Sequence, residues 1–186
     1  MLDGNEFLNY ATANPVNAAL LQRLPALSLP QCHLVAGCLF QAVWNFRMGQ
    51  PPETAVKDYD VFYFDIDSSY AAEDAVIQRV NREFADLGVN IEVKNQARVH
   101  LWYRNRFGAD YPALHSARDG IDRYLIPCTC VGIEVATNDL YAPNGLNDLW
   151  NGVLRINPLN AQPERFREKA SSYAQRWPWL TIVEPD

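Results

Sequence analysis

The chain has 186 residues, 48% of them hydrophobic and 20% charged, with a formal net charge of −6. That length and apolar content suit one globular domain with a sizeable core and exclude wholesale disorder. The acidic balance argues against a general affinity for long nucleic acid, and no apolar run approaches the roughly 20 residues that span a bilayer. No positively charged segment followed by an apolar one opens the chain, so no membrane association and a cytoplasmic location are expected. The first helix is predicted over Pro15–Leu24, running into a connector marked by Pro25 and Pro30. His33–Ala36 reads as a short buried strand broken at Gly37. Leu39, Ala42, Val43 and Phe46 then follow helical spacing, until Gly49 and Pro51-Pro52 stop the helix. Residues 59–64 are aromatic and β-branched and predict a strand. Tyr70–Leu87 carries Val76, Val80, Phe84 and Leu87 on one stripe, with Gly88 as C-cap. Val89–Lys94 alternates apolar and polar as a half-buried strand does. Ser116, with Asp119 three positions on, caps a short helix. Cys128–Val135 predicts a strand, Leu146–Trp150 a short helix, Val153–Ile156 a strand and Pro163–Arg176 a closing helix. Interleaved strands and helices predict an α/β (α+β) fold around one mixed sheet with flanking helices.

Four cysteines, Cys32, Cys38, Cys128 and Cys130, show no C-x-x-C spacing and read as buried reduced thiols. His33, His100 and His115 share no metal-ligand spacing. Chemistry concentrates instead between residues 33 and 67. Gly37 opens a helix whose free N–H groups and positive dipole end suit a phosphate. Asp58 and Asp60 stand two apart at a strand entrance, so both carboxylates face one side, about 7 Å apart along the chain. Such a pair can share a hard cation with substrate phosphates. A second pair, Asp65 and Asp67, runs into Ser68-Ser69 and reads as turn and N-cap residues of the next helix.

Ala36-Gly37-Cys38 followed by Asp58-Tyr59-Asp60-Val61 resembles the signature of the DNA polymerase beta-like nucleotidyltransferase superfamily. The stretches LVAGCLFQAVWN, KDYDVFYFD, EVKNQARVHLW, APNGLNDLW and RINP are similar to a family of small bacterial nucleotidyltransferase-like proteins. The resemblance runs from about Leu34 to Pro158. It implies a nucleotidyltransferase-like domain over residues 31–158, preceded by an N-terminal helical extension over 1–30 and followed by a C-terminal helix and tail over 159–186. It also implies that Asp58, Asp60 and Glu92 are catalytic and hold Mg²⁺ or Mn²⁺. Gly37 and Cys38, with Lys94, Asn95, Gln96 and Arg98, would then contact the nucleotide. Cys38 departs from the usual Gly or Ser, and the interval from Cys38 to Asp58 is longer than the superfamily's usual one. The expected activity is transfer of a nucleoside monophosphate from an NTP to an unidentified hydroxyl or other acceptor, with release of pyrophosphate. The alternative is a nucleotide- or partner-binding module with the same fold and no turnover.

Overall fold

The computed structural model describes residues 1–184. The first helix, α1 (Gly4–Thr12), lies ahead of the predicted ones and starts with a capping box between Asp3 and Glu6. Helix α2 (Pro15–Arg23) begins with Pro at its first position, where the missing N–H costs nothing, and is capped by the Asn14 side chain. Strand β1 (His33–Val35) leads directly into α3 (Gly37–Arg47), two residues earlier than the periodicity predicts. Strand β2 (Tyr59–Tyr63), helix α4 (Tyr70–Glu83) and strand β3 (Ile91–Asn95) follow. A helix not predicted from the sequence, α5 (Val99–Phe107), continues from β3 through a 3₁₀ turn. Helix α6 (Ala117–Ile121), strands β4 (Gly132–Glu134) and β5 (Leu140–Tyr141), and helix α7 (Asn147–Asn151) complete the middle of the chain. Strand β6 (Val153–Leu154), helix α8 (Pro163–Arg176) and strand β7 (Thr181–Ile182) close it.

The main sheet is mixed, as predicted, with strand order β3-β2-β1-β4-β5. Strand β2 runs parallel to β3 and antiparallel to β1, and β1 is antiparallel to β4. Strand β6 does not join this sheet: among the described residues it pairs only with β7 in a small parallel ribbon. The predicted strand over 128–135 shrinks to three residues, Gly132–Glu134, and Pro127 starts a 3₁₀ turn that takes up the first two residues of the predicted span.

Helix α8 is fastened to α3 by aromatic packing. Phe166, Ala170 and Tyr173 lie at helical spacing and are buried. The Tyr173 and Trp177 rings meet Trp44 edge-on at centroid distances of 5.4 and 5.2 Å. Trp177 Nε1 donates to Asn45 Oδ1 at 2.8 Å, and Trp44 Nε1 donates to the Leu149 carbonyl at 3.0 Å. Each indole N–H thus has a partner inside the core. The four cysteines are free and buried, as the sequence suggests. No helix among the described residues is long and apolar enough to cross a membrane.

Candidate active site

The turn between β1 and α3 is the most unusual backbone feature near the functional motifs. Ala36, the residue before the helix, has φ 58° and ψ −123°, a conformation that a side chain disfavours. It lets the chain leave the sheet and start α3 within one residue. A β-carbon on Gly37 would come within 2.9 Å of Gln41 Nε2, so glycine allows the turn to close over that side chain. The first N–H groups of α3 have no carbonyl one turn behind them, and Ala36 and Gly37 line a cavity of about 280 Å³. Cys38, expected to contact the nucleotide, does not line the cavity: its side chain is buried and donates weakly to the Val35 carbonyl, 3.5 Å away. Burial, with the Asp60 charge adding to it, pushes its thiol pKa far up, which disfavours the thiolate.

Asp58 and Asp60 both line the same cavity. Asp60 stands in β2 opposite Val35 of β1 and Glu92 of β3. Its pKa is pushed up to about 6, chiefly by burial; Lys94 opposes the shift and the Asp58 and Glu92 charges add to it. Lys94 sits among these carboxylates, with Nζ 2.6 Å from Glu92 Oε2 and 3.7 Å from Asp60 Oδ1. The hydrogen bond from Lys94 holds the Glu92 carboxyl below its ordinary range. Among the described residues no three His, Cys, Asp or Glu side chains gather closely enough to hold a metal ion. The expected three-carboxylate set is therefore not assembled: Glu92 is aligned with Asp60 along the strands, but it is turned to Lys94. Asp58 and Asp60 remain, and they fit a divalent cation of the Mg²⁺ type, which takes one or two carboxylates and fills its shell with water and substrate phosphate. A cation there would also relieve the strain of ionising Asp60 in its buried position.

The other expected nucleotide contacts divide. Lys94 and Gln96 line the cavity. Gln96 is packed tightly against α6, where a β-carbon on Gly120 would collide with its amide oxygen. Asn95 and Arg98 do not line the cavity. Asn95 has the opposite strand parity to Glu92 and Lys94, and its side chain is engaged with the loop after β2. It accepts from Asp65 N at 3.0 Å and donates to the Asp65 and Asp67 carbonyls at 2.9 and 3.3 Å. Arg98 pairs with Glu73 at 3.2 Å and donates to the Ser69 carbonyl at 2.8 Å. Both anchor the start of α4. Asp65 and Asp67 behave as turn residues: Asp67 Oδ1 accepts from Ser69 N at 3.0 Å, and Ser69 caps α4.

Several cavity residues have no counterpart in the sequence reading. Arg165, Lys169 and Tyr173 form an i, i+4, i+8 stripe on α8 that faces the cavity, joined by Arg106 from α5 and by Arg123. None of these four cations has a carboxylate within salt-bridge distance among the described residues. Lys169 is exposed, but crowding by protein lowers its pKa while Asp58 and Asp60 pull it back up. In a chain of net charge −6, a cavity walled by cations opposite two aspartates is a local reversal of sign. The Arg165 guanidinium lies 3.9 Å from the centre of the Phe107 ring, and Tyr103 stacks on Tyr111 at 4.2 Å.

The profile of the Nucleotidyltransferase family matches residues 22–182. The chain belongs to this family. The chain is also similar to solved structures. One, described as an NMR structure that reveals a CCA-adding enzyme head domain, shares 26% identity with a TM-score of 0.76, over 98% of this chain and 97% of the other. The Thermotoga maritima CCA-adding enzyme complexed with tRNA shares the fold at 16% identity and a TM-score of 0.56; the chain spans 43% of that enzyme's length. No curated protein matches the sequence.

Proposed function

We propose that the protein transfers a nucleoside monophosphate from an NTP to a hydroxyl-bearing acceptor at the Asp58–Asp60 cavity, releasing pyrophosphate. The observation that carries this is the joining of two seats in one cavity. The N-terminus of α3 behind Ala36-Gly37 suits phosphate, and the carboxylates of Asp58 and Asp60 suit a divalent cation. When bound, Mg²⁺ or Mn²⁺ supplies positive charge to the transferring phosphoryl group and to the attacking oxygen.

The chain's own groups do the rest. The N–H groups of Gly37 and Cys38 cradle the outer phosphates. Lys169, opposite the aspartates, balances the charge of the triphosphate. Lys94 releases the aspartate side and turns to phosphate, which leaves Glu92 as the third carboxylate of the site. The acceptor oxygen bonds to the α-phosphorus as the bond to the β-phosphate oxygen breaks, and the hydroxyl proton passes to solvent.

A second reading, a nucleotide-binding module without turnover, is favoured by one observation: the Lys94 ammonium engages Glu92 at 2.6 Å and lies 3.7 Å from Asp60, so a cation of the protein itself already sits among these carboxylates. The two separate in one assay. Each of the four NTPs, labelled at the α-phosphate, is incubated with Mg²⁺ and acceptors of three classes: small hydroxyl compounds, proteins and RNA ends. Mg²⁺-dependent label transfer with pyrophosphate release, absent in Asp60→Asn, supports the enzyme. Stoichiometric NTP binding with no pyrophosphate from any acceptor supports the module.

A further inference from the structure

Two polar atoms buried in the wall of the cavity have no hydrogen-bond partner among the described residues: the Tyr124 hydroxyl and Gln41 Oε1. Buried polar groups are nearly always paired, so each needs a reason. They do not pair with one another, although one can donate and the other accepts. The Tyr124 ring is held in place, stacked on Phe62 with centroids 5.8 Å apart. Phe62 lies two residues beyond Asp60 on β2 and lines the same cavity. Burial and the nearby Asp60 charge push the Tyr124 pKa far up, so the hydroxyl stays protonated. A fixed, protonated, unpaired hydroxyl in a cavity walled by Lys94, Arg123 and Lys169 suits an oxyanion. Gln41, one turn into α3 from Gly37, offers its orphan oxygen to a donor such as a sugar hydroxyl. A nucleotide presents both kinds of group.

We propose that Tyr124 is a ligand-binding residue of this site, its hydroxyl donating a hydrogen bond to a phosphoryl oxygen of the bound triphosphate. The proposal rests on the reading of the cavity as an NTP site. Nothing in the sequence marks this tyrosine; it comes to the cavity through the turn after α6 and its packing on Phe62.

The test is Tyr124→Phe, which keeps the ring and its stacking and removes only the oxygen. The free variant is expected to melt at or above the wild-type temperature, because an unpaired buried hydroxyl has been deleted. Its affinity for Mg²⁺ with inorganic tripolyphosphate, and for each Mg²⁺–NTP, is expected to fall about tenfold to a hundredfold, the worth of a hydrogen bond to a charged group. Calorimetry reads the affinity and circular dichroism the melt. If the free variant is clearly less stable, the hydroxyl has a structural partner and the proposal is overturned. If tripolyphosphate binds the variant as tightly as wild type, it is likewise overturned, while the NTP reading survives. If wild type binds neither tripolyphosphate nor any NTP, the NTP reading itself falls and takes the proposal with it.

Discussion

Replacing Asp60 by Asn should make the free protein more stable at neutral pH while removing its response to metal and nucleotide. The pKa of Asp60 rises from 3.8 to about 6 in the fold, with its side chain only 20% exposed. A folded-state pKa above the unfolded value means that the fold favours the protonated form. The stability this brings is fully present below about pH 4 and is lost as pH rises through about 6. At 1.36 kcal/mol per unit, ionising Asp60 in place costs the fold about 3 kcal/mol. The pull of Lys94 is already contained in that value. Asn is neutral at every pH, so Asp60→Asn should match wild type near pH 4 and exceed it by as much as ~3 kcal/mol at pH 7.5. For a chain of this size that is a rise in melting temperature of about 6–12 °C. Urea denaturation at pH 4, 6 and 7.5 with unchanged slope would display the divergence. A difference that does not vary with pH, or a variant less stable at pH 7.5, would refute the reasoning that Asp60 is held charged at a cost to the fold.

Lys94→Met should bind Mn²⁺ more tightly than wild type in the absence of nucleotide, because the ammonium 3.7 Å from Asp60 no longer competes. The same variant should bind NTP more weakly; calorimetry with each ligand separates the two effects. Asp67→Asn should keep the full Mg²⁺–NTP response in thermal melts and lose only a little stability, since an amide oxygen can still accept from Ser69 N. Asn95→Ala should cost about 3 kcal/mol in urea denaturation, having lost several buried hydrogen bonds to the loop after β2. Its melting temperature should still rise on addition of Mg²⁺–NTP.

Elements with a strong local pattern were legible. The buried strand, the glycine and the helix around Gly37 show in the run and spacing of their apolar residues, and the long helix follows its Ser69 cap; it ends at Glu83, four residues short of the expected Leu87, and Gly88 caps the 3₁₀ turn Ala85–Leu87 that comes after it. Helix α1 carries its start signal in the sequence as an Asp-x-x-Glu box, Asp3 with Glu6. Helix α5 had no such signal: VHLWYRNRF scatters polar and aromatic residues around the helix, so no face stands out, and its burial is set by contacts with α8 and the turn after it. At the site, the parity of β3 correctly separated Glu92 and Lys94 from Val93, but it also puts Asn95 on the far side. Counting Asn95 as a ligand followed the resemblance rather than the strand geometry. Gln41 was visible as a polar residue in an apolar helix. Arg165 and Lys169 were not, because a solvated helical face and a cavity wall look alike until the aromatic box around Trp44 fixes where α8 lies.

The central claim is that the cavity between α3, β2 and α8 binds Mg²⁺–NTP. Amide chemical shifts recorded during titration with Mg²⁺ and a non-hydrolysable NTP test it most directly. The account predicts saturable shifts centred on Gly37, Cys38, Asp60, Lys94 and Lys169, which need Mg²⁺ and are absent in Asp60→Asn. Shifts that fall elsewhere, or that are the same without Mg²⁺, would contradict it.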